Sequence, residues 1–321
     1  MEASSMRRTA APMEYVRRID WHAAWTWLLC FGLIVYLGLK GGGYDPLVHD
    51  QAGIAVWWIL LATVLVGAIP RRPLGRLGWG ALGLLGLFAL WTALSLTWTE
   101  STERTVADLA RVVTYVGVLG LALFTHGPRD RQRIVAAVGA GIVLVGAFAL
   151  LSRLHPAWFP AAEQTATFVS SDRERLSYPL NYWNGLAALI AIGLPLVLHI
   201  ATGAKSVLGR TLAAAALPAL VLTAFFTLSR GGIAASVLVL VVFLAFASDR
   251  LPKLLSMLVA AGAGTILVLA AAQRDALQHG FLNATARHQG TEMLWMTLAV
   301  CLAVGVIQAA ITLASQRTRR P

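Results

Sequence analysis

Two stretches of the sequence pair an arginine with groups suited to holding a phosphate. The first, Arg175-Leu-Ser-Tyr-Pro-Leu-Asn181-Tyr-Trp-Asn184-Gly185, leads directly into an apolar segment. The second, Thr227-Leu-Ser229-Arg230-Gly231-Gly232, lies between two apolar segments. An arginine in such surroundings is costly unless it faces a cavity or a polar partner. The Ser229 hydroxyl, two glycines that put no Cβ in a ligand's way, and a helix starting there make a phosphate-binding corner. Asn184 is placed to cap the helix that follows the first stretch. If both helices start on one face of a membrane, Arg175 and Arg230 converge on one anionic group. A lipid-linked diphosphate fits, because it is membrane-anchored and presents paired oxygens to a planar guanidinium. Each stretch also has a plainer reading. The first can be an interfacial loop with a capped helix; in the second, Arg230 can reach lipid headgroups beside a Gly-Gly turn.

Other reactive residues are sparse. Asp108 and Arg111 stand at i and i+3, so they either neutralise each other on one helix or lend charge to an outer anionic cavity. Cys30 and Cys301 sit in apolar segments and read as small hydrophobes. The sequence holds no phosphate loop, dinucleotide fingerprint or paired metal-ligand spacing, so neither cofactor nor metal is expected.

The elements that must position these residues follow from composition. The chain has 321 residues, 58% hydrophobic and only 13% charged, with a mean hydropathy of +0.70. Soluble domains carry about 25% charged residues, so a soluble enzyme, a disordered chain and a disulfide scaffold are excluded. The expectation is an all-α polytopic membrane protein of about ten transmembrane helices. Their spans fall near 22–40, 51–69, 77–97, 105–125, 133–152, 183–203, 209–229, 231–248, 252–272 and 292–314, each helical because lipid offers the backbone no partner. The spans 209–229 and 231–248 are parted only by Arg230, which predicts a tight hairpin or a broken helix.

The net charge of +11 fixes orientation rather than a nucleic-acid partner. With both termini cytoplasmic, the inner connectors collect Arg7, Arg8, Arg17, Arg18, Arg71, Arg72, Arg76, Arg129, Arg131, Arg133, Lys205, Arg210, Arg250, Lys253, Arg317, Arg319 and Arg320, as the positive-inside rule requires. Residues 1–21 are then a cytoplasmic tail, 22–314 the helical bundle with an outer loop at about 153–182, and 315–321 a basic cytoplasmic tail. Outer basic residues, including Lys40, Arg111, Arg153, Arg175 and Arg230, are left unexplained by orientation.

At this point the motifs resemble those of the bacterial O-antigen ligase and polymerase family. Arg175-Leu-Ser-x-Pro-x-Asn181-x-x-Asn184-x-Leu-Ala resembles its R-L-x-G-P-x-x-N-x-N-x-x-A signature, with Tyr178 in place of the usual glycine. Ser229-Arg230-Gly231-Gly232 resembles its S-R-G-G motif, and Leu90-Trp91-x-x-Leu94-Ser95-x-x-Trp98 a segment that closes an early span. The resemblance covers roughly 20–270. It implies metal-independent glycosyl transfer at the outer face of the cytoplasmic membrane, from undecaprenyl diphosphate to a hydroxyl on a lipid or glycan acceptor. Arg175 and Arg230, with Ser229, Gly231 and Gly232, would hold the diphosphate, supported by Asn181, Asn184 and Arg111.

The resemblance also implies a histidine base in an H-P-x-x-G-x-G context, which this sequence does not contain. His155-Pro156 shares the dipeptide but lies upstream of both arginine motifs. His279 and His288, in the expected outer loop 273–291, are the weak substitutes, and the expectation is that the polypeptide ends before the large loop that would carry the base. Three readings therefore stay open. They are a glycan ligase or polymerase, inactive alone if incomplete; a transporter or flippase of lipid-linked sugars; and a non-catalytic scaffold that binds the lipid carrier.

Overall fold

The computed structural model describes residues 21–67, 74–127, 130–159 and 174–317. Expectations resting on Arg7, Arg8, Arg17, Arg18, Arg71, Arg72, Arg129, Arg319, Arg320 and residues 160–173 of the 153–182 loop lie outside the described residues. Among the described residues ten longer helices follow one another: α1 (Trp21–Leu39), α2 (Pro46–Leu65), α3 (Arg76–Leu94), α4 (Thr102–Thr125) and α5 (Arg131–Leu154), then α6 (Trp183–Gly203), α7 (Val207–Phe226), α8 (Arg230–Phe246), α9 (Arg250–Ala272) and α10 (Ala284–Arg317). There is no strand among the described residues.

Each expected span overlaps one of these helices, but they are not equal. Eight of them, α2 to α7 with α9 and α10, are long and apolar enough to cross a membrane. That is the pattern of a multi-pass membrane protein. The apolar parts of α1 (Ala24–Leu39) and α8 (Arg230–Phe246) are shorter.

Helix α7 is the hub: it packs against α5, α6, α9 and α10, while α8 lies on α6 and α1 on α5. The core holds Leu150 and Leu154 of α5, Leu186 and Ile190 of α6, Leu220, Leu222 and Phe226 of α7, Leu267 of α9 and Met293 of α10. Small residues set the spacing, as expected where lipid removes most of the hydrophobic drive between helices. A Cβ on Gly141 would sit 3.0 Å from Ile34 of α1, and one on Gly264 would sit 2.7 Å from Val221 of α7. Helices α2, α3 and α4 form a looser group, α4 packing on both of the others, and α3 buries none of its residues.

Three boundaries differ from expectation for local reasons. Helix α2 begins early because Asp45 caps it, accepting from the Leu47 N–H at 2.8 Å, with Pro46 in the first turn. Helix α10 begins at Ala284 rather than near 292 because the Asn283 side chain accepts from the Ala286 N–H at 2.8 Å. The expected loop 273–291 is therefore a one-turn helix (Asp275–Gln278) followed by the first turns of α10. Between α7 and α8 the break is the turn Thr227-Leu228-Ser229, and Arg230 is the first residue of α8. Leu228 takes a left-handed conformation there (φ 49).

Candidate functional site

The two arginine stretches meet. Ser229 caps α8, its hydroxyl oxygen accepting from the Gly232 N–H at 3.0 Å. The same hydroxyl donates to Oδ1 of Asn184 at 2.7 Å. Asn184 in turn donates from Nδ2 to the Tyr182 hydroxyl at 3.2 Å. A backbone bond joins the same parts, Leu176 N–H donating to the Phe226 carbonyl at 2.8 Å. The N-termini of α6 and α8 thus lie side by side, and the two helices pack directly against each other, with α7 connecting them in the chain.

The expected cap is corrected by these contacts. Tyr182, not Asn184, occupies the N-cap of α6, and it makes no side-chain cap bond. Asn184 falls one residue inside the helix, where its amide reaches across to α8 instead of back to its own backbone.

The side chains of Arg175 and Arg230 are both exposed. Neither has a hydrogen-bond or ion-pair partner among the described residues. Arg175 rests over the Trp183 ring, its guanidinium carbon 4.8 Å from the centroid, a cation–π contact that leaves its N–H donors free. The glycines divide their roles. Open space surrounds a Cβ built on Gly231, whereas one on Gly232 would collide with Ala187 of α6. Gly232 lets α8 lie against α6; Gly231 leaves the surface beside Arg230 uncovered. Asn181 is exposed and left-handed (φ 58), its amide lying near Gly41 at the α1–α2 turn.

Arg153, which the sequence marked only as an outer cation, organises the surroundings. It is buried at the end of α5, donates to the carbonyl of Glu174 and, at 3.4 Å, to that of Gln278, and lies 5.5 Å from the Phe226 ring centroid. One guanidinium therefore gathers the approach to Arg175, the end of α7 and the Asp275–Gln278 turn. The signal for it was its position, a charge closing an apolar span.

The histidines are tied elsewhere. His288 pairs with Glu292 at 3.1 Å, and Glu292 also takes Arg274 at 3.1 Å. The ring of His279 contacts the Asp275 carbonyl at 2.8 Å. His155 stacks on Trp158 with centroids 4.3 Å apart, and burial pushes its imidazole below the ordinary value. Asp108 and Arg111 form the local pair their spacing predicts, at 3.2 Å, and the Arg111 guanidinium lies 5.9 Å from the Tyr44 ring centroid. Among the described residues, no three His, Cys, Asp or Glu side chains cluster as metal ligands.

No protein-family model, curated protein or solved structure matches the chain.

Proposed function

We infer that this chain is an O-antigen ligase-like membrane protein that handles an undecaprenyl-diphosphate-linked glycan at the outer face of the bacterial cytoplasmic membrane. Its ten helices all cross, with both termini inside. Arg175 and Arg230 hold the diphosphate, and the hydroxyl of a lipid or glycan acceptor receives the glycan. The observation that carries this reading is the Asn184–Ser229 bond at 2.7 Å. It joins the two segments that bear the exposed arginines, neither of which has an ion-pair partner among the described residues.

The chemistry follows from the parts. A diphosphate leaving group needs positive charge where its own charge develops, and two guanidiniums beside a helix N-terminus supply it. The acceptor hydroxyl needs a base. The two histidine candidates for that base are His279, held by the Asp275 carbonyl, and His288, held by Glu292.

Binding of undecaprenyl diphosphate to the purified chain in detergent tests this directly. Arg230→Ala is expected to weaken binding by about 1.5–3 kcal/mol, the range of a hydrogen bond to a charged group. Arg230→Lys keeps the charge but loses the planar fork, so it falls between wild type and Ala. Absence of carrier binding by a well-folded preparation would overturn the reading and favour transport of another solute. Glycan transfer that survives loss of both His279 and His288 would place the base elsewhere.

A further inference from the structure

A second recess lies beside the arginine corner, and of its lining only Asn181 is also expected to support the diphosphate. It is a cleft of about 610 Å³ between the α1–α2 turn and the segment entering α6. That volume is in the range of small-molecule sites. Its useful groups are Lys40, Gly41, Tyr44, Asp45, Asn181 and Tyr182.

We propose that this cleft is a carbohydrate-binding subsite that takes one or two uncharged sugar rings.

The lining chemistry selects that class of ligand. One cation and one carboxylate share the cleft, so it offers no net charge to an anion. Lys40 has no ion-pair or hydrogen-bond partner through its side chain among the described residues, and neither has the Asn181 amide. Asp45 has one oxygen engaged by the Leu47 N–H, which leaves the other to accept. Ammonium, amide and carboxylate together match the mixed donor and acceptor character of sugar hydroxyls. Tyr44 is 81% exposed and Tyr182 is 50% exposed, and such aromatic faces suit the C–H side of a pyranose while their hydroxyls remain polar. Gly41 adds a wall without a side chain: its backbone is left-handed (φ 68), and a Cβ there would sit 3.5 Å from the Asn181 amide.

The cleft is also joined to the arginine corner. Tyr182 accepts from Asn184, and Asn184 accepts from Ser229. The Tyr182 ring lies 5.7 Å from that of Trp183, on which Arg175 rests. If the diphosphate reading holds, a glycan carried on that diphosphate would enter the cleft with its first rings. That placement rests on the diphosphate reading, whereas the affinity of the cleft for sugar does not.

Two measurements on the full chain in detergent separate the two ideas. The first compares undecaprenyl diphosphate with undecaprenyl-diphospho-N-acetylglucosamine. Wild type is expected to favour the sugar-bearing lipid about five- to tenfold, the equivalent of one added hydrogen bond or ring contact. Tyr44→Ala and Lys40→Ala should bring that ratio close to one and leave sugar-free lipid binding unchanged. The second uses saturation-transfer NMR with the methyl glycosides of glucose, galactose, rhamnose and N-acetylglucosamine. At least one should receive saturation from wild type and lose most of it in Tyr44→Ala.

Equal binding of both lipids by wild type, or a preference that persists in Tyr44→Ala, would overturn the proposal. So would the absence of any Tyr44-dependent transfer to the four glycosides. If neither lipid binds but a glycoside does so through Tyr44, the subsite stands and the diphosphate reading falls. A Tyr44→Phe chain retaining the sugar preference would show that the ring face, rather than the hydroxyl, makes the contact.

Discussion

At the scale of single residues, the site depends on partners that are far apart in the chain. Asp108 with Arg111 could be read from spacing alone, because residues three apart share a helix face, and the pair forms at 3.2 Å. Asn184 could not, because its partner Ser229 is 45 positions away and the local pattern offered an ordinary cap instead. The bond makes a specific energetic claim. Removal of either partner strands a polar group at a helix junction, so Asn184→Ala and Ser229→Ala should each destabilise the chain, by about 1 kcal/mol for the lost bond. Ser229→Ala should cost more, because the hydroxyl also caps α8. The double variant should then cost less than the two singles together. A coupling of about 0.5–1.5 kcal/mol in denaturant titrations is expected for interhelical hydrogen bonds in membranes. Strict additivity would mean that the two side chains do not meet.

At the scale of elements, hydropathy located each of the ten longer helices among the described residues, because a lipid-embedded segment must be apolar and must close its own backbone bonds. It did not fix the ends, where single capping side chains decide. Nor did it reveal which helices touch. The contact of α10 with α5 is the clearest case. A Cβ on Gly290 would fall on the carbonyl of Leu154, and backbone at a helix end has little room to give. Gly290→Ala should therefore push the first turns of α10 off α5, near the buried Arg153, and lower stability by about 1–3 kcal/mol, the usual cost of overpacking. Gly262→Ala supplies the contrast, since nothing lies within 4 Å of a Cβ built there. In mid-helix it should be neutral or stabilise by about 0.5–1 kcal/mol. Thermal unfolding of the two variants in one detergent would show both signs; a harmless Gly290→Ala would mean that α10 does not rest on Leu154.

At the scale of the whole molecule, orientation turns on the two shorter helices. The 17 residues of α8 span about 25 Å at 1.5 Å per residue, against a hydrocarbon core of about 30 Å. Such a mismatch costs only fractions of a kcal/mol per Å and is met by local thinning of the bilayer. Topology offers a stronger reason for α8 to cross. If it did not, everything after it would change sides, and Arg250 with Lys253 would move outward together with the basic end of α10. The positive-inside rule opposes that exchange. Helix α8 also packs along α6 from the joined N-termini onward, so it runs beside a helix that is itself long and apolar enough to cross. In a chain whose Cys30 and Cys301 are replaced by Ala, single cysteines can report this in intact cells. Ala157→Cys and Ala284→Cys should react with a membrane-impermeant maleimide from outside, whereas Ser206→Cys and Ser248→Cys should react only after permeabilisation. Labelling at 206 from outside would invert the topology and put the arginine corner on the cytoplasmic face. Labelling at 248 with 206 still protected would show instead that α8 enters and leaves on the same side.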